Sequence, residues 1–415
     1  MMVRHPNIAR WLGPVAVLML GFSLLGCYGG NHGGYYGRPP ATYYTAAVAG
    51  ADVNGDGKVD LLGANQAGFG ASGFVSVRLQ DPSQPGGLQA PLRSSAGTNP
   101  ASLAVGSLGG SALPGVVVVN QQAQSSINPA NTVSVLLPGT QPGTFLAPIA
   151  LPVGARNPVD AALGALTTSG LSDVAVAAEG GSDLLVFFQG PAPGAFAAPV
   201  SLAVGGEPSA VAMGDLNGDG LPDLVVATAG GVLSVLVQDP AHPGSFLPHV
   251  DYPVGSNPIS VKVASLTPGA LPDIVTANFG TDLAPTTLGL SVLLHDPAHP
   301  GAFLAAATTS TGDYGACSVA VGDLDGDGKP DLAMANYGLP GTPGSVAVFL
   351  QDPAHPGAFL SPTLYPGFSG PHWVAIGDFN GDGLPDLAIA DGGAEIRFQV
   401  PGQPGVFGPA VVYQQ

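Results

Sequence analysis

The sequence predicts an all-β fold, a seven-bladed β-propeller of four-stranded blades, and three observations predict it. An acidic loop of the form Asp-x-Asn/Asp-Gly-Asp-Gly-x-x-Asp occurs four times, at 52–60, 215–223, 323–331 and 378–386. Degenerate copies, Ser107-Leu108-Gly109-Gly110, Ala165-Leu166-Thr167-Thr168 and Ser265-Leu266-Thr267-Pro268, fill the gaps, so seven repeats start at 52, 107, 165, 215, 265, 323 and 378. A Pro-Gly step before a short apolar run also occurs seven times, ending at Gly86, Gly143, Gly194, Gly244, Gly301, Gly357 and Gly405. Units of about 50 residues repeated four to eight times describe a propeller.

Each unit holds four strand signals. In the fourth they are Ser209–Gly214, Leu224–Ala227, Val232–Gln238 and Phe246–Val254, alternating or β-branched runs separated by turn residues. The first strand leads into the acidic loop and the second returns. The third leads out to the Pro-Gly turn and the fourth returns. Acidic loops and Pro-Gly turns therefore share one face. The opposite face carries the second-to-third loops and the links between blades, and these vary. Gly230-Gly231 and Gly392-Gly393 are short, whereas Gln121–Asn131, Phe279–Leu288 and Tyr337–Gly344 are long. The first unit opens on its first strand (Thr45–Ala49) and the last closes on its fourth (Val406–Tyr413), so the ring closes without exchanging a strand.

The acidic loops have the chemistry of a hard-cation site. Oxygen side chains stand at positions 1, 3, 5 and 9: Asp52, Asn54, Asp56 and Asp60; Asp215, Asn217, Asp219 and Asp223; Asp323, Asp325, Asp327 and Asp331; Asp378, Asn380, Asp382 and Asp386. Position 7 (Lys58, Leu221, Lys329, Leu384) offers a backbone carbonyl, and Gly at position 6 permits the sharp turn. A set of oxygens without His or Cys suits Ca²⁺ better than zinc or copper. About four structural Ca²⁺ ions are expected; the competing reading is a solvated acidic turn. An EF-hand starts the same way but needs flanking helices and a Glu at position 12, where this chain has Gly63, Val226, Met334 and Ile389.

These loops between strands, followed by Asn278-Phe279-Gly280 or Asn336-Tyr337-Gly338, resemble the FG-GAP repeat of integrin α-subunits and are similar to bacterial VCBS repeats. The resemblance covers about residues 45–415. It implies a seven-bladed propeller with Ca²⁺ between the first and second strands. Repeats two, three and five lack the acidic ligands. There Asp173 and Asp273 survive at position 9 and are expected to hydrogen-bond the turn.

The first 27 residues read as a targeting segment. Arg4 and Arg10 precede an apolar run, Trp11–Leu25, too short to span a bilayer, and Leu24-Leu25-Gly26-Cys27 resembles the bacterial lipobox. Cys27 is expected to carry lipid, residues 28–44 to form a Gly/Tyr-rich tether, and the protein to sit lipid-anchored in the bacterial cell envelope. Cys317 is then expected to be an unpaired, buried small residue.

The chain carries 28 acids against 10 bases, a net charge of −18, and thirteen of the acids lie in the four loops. Filling four sites with divalent ions would bring the charge to −10. An acidic surface argues against nucleic acid or anionic lipid as partners. No nucleophile elbow, metalloprotease motif or P-loop is present, and Gly68–Gly73, which matches a dinucleotide pattern, precedes a strand rather than a helix. His242, His299 and His355 occupy one repeat position, a blade apart, and read as turn residues. On the irregular face, Tyr314, Phe368, His372 and Trp373 lie in two adjacent links and are candidate ligand contacts; the alternative is that they plug the channel. The resulting expectation is a monomeric, surface-tethered, non-enzymatic module binding an extracellular protein or glycan. A glycan-active propeller enzyme (lyase or hydrolase) and a purely structural envelope protein are the alternatives.

Overall fold

The structure, a computed structural model, describes residues 43–414 except 68–71, 85, 122–130, 155, 270, 281–288 and 340. The targeting segment, with Cys27, and nearly all of the proposed tether lie outside the described residues.

Twenty-eight strands, and no helix, form among the described residues. They make seven four-stranded antiparallel sheets, each with its strands in sequence order. Blade one runs β1 (Tyr44–Ala51), β2 (Asp60–Gln66), β3 (Ser72–Arg78), β4 (Leu92–Thr98); blade seven runs β25 (Trp373–Gly377), β26 (Asp386–Ala390), β27 (Ala394–Gln399), β28 (Phe407–Tyr413). In blade four the strands are β13 (Pro208–Gly214), β14 (Asp223–Thr228), β15 (Val232–Leu236) and β16 (Val250–Pro253). The last begins later than its apolar run because Phe246 makes only an isolated bridge, to Gln238. The seven first strands neighbour one another around the centre, and β1 meets β25 to close the ring. Each end of the chain supplies a whole blade, so no strand is exchanged.

The core sits between blades. Each of the seven neighbouring pairs shares one apolar cluster, such as Ala175, Ala177, Val186, Val211, Leu224 and Val226 between blades three and four. Blades seven and one share Val48, Leu61, Phe379, Ala388 and Ile396. A blade is covered on both faces, which is why second strands read as unbroken apolar runs: β6 (Gly115–Asn120), Gly-Val-Val-Val-Val-Asn, is buried throughout. Five of the seven first strands end in Gly, where neighbours approach closely. A Cβ on Gly214 would lie 2.7 Å from Val263 Cγ1, and one on Gly164 2.8 Å from Met213 Sδ. The Pro-Gly turns need their glycine for another reason: φ lies between 71° and 87° at all seven.

Polar clasps join the blades on the loop face. Gln399 Nε2 donates to Leu324 O of the preceding blade at 2.7 Å, and Gln351 Nε2 to Leu266 O at 3.1 Å. At the seam, Gln80 Nε2 donates to Asp378 O at 2.7 Å. Thr45 N–H adds a bond to Gly392 O at 3.3 Å.

Candidate metal centre

Each acidic loop folds around its first aspartate. In blade one the Gly55 and Gly57 N–H groups donate to Asp52 Oδ1 and Oδ2 at 2.6 and 2.8 Å, Asp56 N–H to Asn54 Oδ1 at 2.8 Å, and Lys58 N–H to Asp56 Oδ1 at 2.9 Å. The other three loops repeat this. Gly218, Gly326 and Gly381 N–H donate to Asp215, Asp323 and Asp378 Oδ1 at 2.6, 2.7 and 2.6 Å. Gly220, Gly328 and Gly383 N–H donate to the same aspartates' Oδ2 at 2.9, 2.9 and 2.8 Å. Leu221, Lys329 and Leu384 N–H donate to Asp219, Asp327 and Asp382 at 2.8, 2.9 and 2.8 Å. Two left-handed glycines per loop make this possible: Gly55 and Gly57 both have φ of 81°. The sequence reading stressed the second; the first is equally required.

Positions 1, 3 and 5 thus turn their oxygens to one point. In blade six, carboxylate oxygens of Asp323, Asp325 and Asp327 lie within 4.8 Å of one another. In the other loops Asn stands at position 3, and its amide donates to the position-5 carboxylate, as Asn217 Nδ2 does to Asp219 Oδ2 at 3.0 Å.

Position 9 differs. Asp60, Asp223 and Asp386 are fully buried and Asp331 nearly so. Asp223 Oδ2 accepts Leu216 N–H at 2.9 Å and Oδ1 accepts Gln238 N–H at 2.7 Å, tying the ends of all three inner strands. Asp331 and Asp386 repeat the pattern with Leu324 and Gln351 and with Phe379 and Gln399. Two of the three degenerate repeats keep it as well; repeat two has Gly115 there. Asp173 accepts Leu166, Thr167 and Gln189 N–H at 2.9, 3.1 and 2.7 Å, and Asp273 accepts Leu266, Thr267 and His295 N–H at 3.0, 3.1 and 2.9 Å. Both were expected to bond the turn, and they do. Position 9 is first a staple of the blade, and Asp331 lies outside the group that Asp323, Asp325 and Asp327 form.

The electrostatics favour such a cation. Burial pushes Asp60, Asp223 and Asp331 up to about 6 and Asp386 up to about 7. Neighbouring loop carboxylates add to the rise: Asp56 and Asp52 act on Asp60, and Asp382 and Asp378 on Asp386. A divalent ion would reverse this repulsion. All-oxygen donors, loop carbonyls and mutual carboxylate repulsion fit Ca²⁺, which would neutralise the cluster and cross-link the loop.

Of the aromatic candidates of the irregular face, two are packed and two, Tyr314 and Trp373, are half-buried. Phe368 and His372 are both 2% exposed. His372 stacks on Tyr44 across the seam, centroids 5.2 Å apart, and burial lowers its pKa. Trp373 packs into the clusters on both sides of blade one. Tyr314 meets Phe279 edge to face at 6.0 Å. Links that open a first strand point their side chains into the joint between blades, which sequence position alone does not reveal. Cys317 is buried beside Ile259, Phe279 and Tyr337, as expected. It is disulfide-bonded, against the expectation of an unpaired thiol; the only other cysteine of the chain is Cys27. His242, His299 and His355 are exposed turn residues, each with Nδ1 at 2.7–2.8 Å from the Asp three residues earlier.

The irregular face also holds a feature the sequence did not single out. A cavity of about 570 Å³ opens in the cleft between blades two and three, lined by Val153, Gly154, Arg156, Gly180, Leu185 and Pro199 among others. Arg156 pairs with Asp183 at 2.7 Å beside it. Glu179 accepts Asn157 Nδ2 at 2.8 Å and Glu207 accepts Gly180 N–H at 2.6 Å.

Comparison with known proteins agrees with this architecture. The model of the FG-GAP-like repeat matches residues 166–226 and 335–389, and that of the FG-GAP repeat residues 318–349. No curated protein matches the sequence. Among solved structures, BBS1N, in a complex with ARL6DN soaked with lead, is similar at 14% identity and a TM-score of 0.53, covering 89% of this chain and 97% of that one. The Neurospora crassa Pan2 WD40 domain is similar at 12% identity and a TM-score of 0.51, covering 84% and 86%. At such identities these two speak for the fold alone. With the matched repeats set among seven four-stranded blades, the chain is a seven-bladed β-propeller that carries FG-GAP-like repeats.

Proposed function

We propose that this propeller is a calcium-stabilised recognition module, tethered at the cell envelope, that binds an extracellular protein or glycan on its irregular face. An FG-GAP propeller supports a recognition or adhesion role in general, and such propellers are typically non-catalytic. One observation carries the finer reading. The loop face repeats its turns, whereas the irregular face holds, among the described residues, a cleft with Arg156, Asp183, Glu179 and Glu207 near it. A rigid ring with an apolar cleft bordered by charged side chains is suited to selective binding. Sugar hydroxyls or a polar peptide can both use its donors and acceptors. The test is retention of envelope glycans and proteins on the immobilised chain, compared with Arg156→Ala of equal melting temperature. Ligands held by the wild type and lost from the variant support the reading; identical retention by both overturns it.

Tethering rests on Arg4, Arg10, the apolar run and Leu-Leu-Gly-Cys. A lipid-bearing sulfur is a thioether and cannot also bond Cys317, so lipid at Cys27 and a Cys27–Cys317 disulfide exclude each other. Intact-mass measurement of the mature chain without reductant decides between them. The expected result is a chain that begins at lipidated Cys27; a residue-27 disulfide or an uncleaved N-terminus rules the tether out.

A further inference from the structure

The channel at the centre of the ring is nearly uniform, with two exceptions. Three residues before each loop start, six blades carry alanine (Ala49, Ala104, Ala162, Ala212, Ala320, Ala375) and blade five carries Lys262. Five residues before, six blades carry a short side chain (Ala47, Ser102, Asp160, Ala210, Ser260, Ser318) and blade seven carries Trp373. The short polar groups are committed to the ring itself. Asp160 accepts Ser102 Oγ–H at 3.0 Å and Val211 N–H at 3.1 Å, and Ser260 Oγ accepts Val319 N–H at 3.3 Å. The two exceptions are not so committed and share one cavity. Its volume is about 360 Å³, and Val48, Leu103, Val321, Ile376, Trp373 and Lys262 line it, Lys262 as the only charged residue of the lining.

Lys262 makes no ion pair and no side-chain hydrogen bond among the described residues. Asp160 feels its charge, yet burial raises the Asp160 pKa despite that attraction. The cavity therefore offers an unpaired ammonium amid aliphatic walls and one indole. Lys262 is only half-buried and faces an open recess, and a carboxylate on its ammonium is a short, charge-assisted contact. An open recess of apolar side chains and exposed backbone with one convergent charged side chain can also hold a small molecule.

We propose that the channel is a binding site for a small organic carboxylate, its anionic group on the Lys262 ammonium and its apolar body against Trp373 and the aliphatic wall. The inference is independent of the cleft between blades two and three. Benzoate is the probe, titrated calorimetrically into the full chain, with benzyl alcohol as its neutral counterpart. Saturable millimolar benzoate binding is expected, weakened at least about tenfold in Lys262→Met and retained in Lys262→Arg. Benzyl alcohol should not distinguish the three proteins. Asp160→Asn, which removes a competing negative charge, should bind benzoate at least as well as the wild type. Melting curves establish that each variant is folded; should Lys262→Met not fold, Lys262→Gln takes its place. Absence of saturable benzoate binding to the wild type, or equal affinity after the positive charge is removed, overturns the proposal.

Discussion

Blades three and four carry the same hairpin around different loops. In blade four, Asp215, Asn217 and Asp219 gather their oxygens; in blade three, Ala165, Thr167 and Ser169 stand at those positions. The turn survives the exchange. Leu171 N–H donates to Ser169 Oγ at 3.2 Å where Leu221 N–H donates to Asp219 Oδ1 at 2.8 Å. Gly170 and Gly220 both keep positive φ, 73° and 83°. Asp173 and Asp223 hold equivalent N–H groups at matching distances, and Gln189 and Gln238 both donate to the carbonyl before the staple at 2.7 Å. The difference teaches that one motif contains two devices. Position 9 belongs to the fold and persists without an ion site. Positions 1, 3 and 5 add an ion site to a turn that already holds.

The widest test is to remove calcium. Each site at a hundredfold excess of free ion over its dissociation constant contributes about 2.7 kcal/mol, and four such sites make this the largest effect expected. Chelator should lower the melting temperature, and Ca²⁺ more than Mg²⁺ should restore it. Counting bound ions should give about four; a count near seven would mean that blade three and its like also bind, and unchanged melting would sink the calcium reading.

The two staples should then fail alike. Asp223→Ala and Asp173→Ala each strand two or more buried N–H groups, at about 3 kcal/mol by denaturant unfolding in chelator. A much smaller loss at Asp173 would break the parallel.

The smallest effect concerns pH. Asp60, Asp223, Asp331 and Asp386 are raised well above the ordinary 3.8 by burial. Above pH 7 they are charged in both folded and unfolded chains, and the folded state bears the whole penalty. Between pH 8 and 6 the folded chain takes up protons that the unfolded chain does not, so metal-free protein should become more stable as pH falls through that window. Calcium should flatten the trend. A melting temperature that drops from pH 8 to 6 in chelator contradicts it.

The repeat starts, the sharing of one face by acidic loops and Pro-Gly turns, and the whole-blade closure could all be read from the chain, because each rests on spacing. Facing could not. The links around Phe368 and His372 look like exposed loops in sequence, yet their backbone is already turning into a first strand whose neighbours lie on both sides. The clasp glutamines were legible in principle: Gln80, Gln351 and Gln399 all stand six residues before the glycine of the Pro-Gly step. The cleft at Arg156 was not, since Arg156, Gly180 and Pro199 meet only once blades two and three are side by side.

The seam between blades seven and one uses the same glutamine clasp as the joints between blades five and six and blades six and seven, and each end of the chain contributes a complete sheet. No blade is therefore privileged as the first. A gene that encoded the blades in rotated order would specify the same ring, with the break moved to another joint. Duplicating or deleting one blade length of coding sequence would leave no half-sheet to be matched. Such a ring can change its size by whole steps, and each of its blades is free to keep or lose an ion on its own evolutionary schedule.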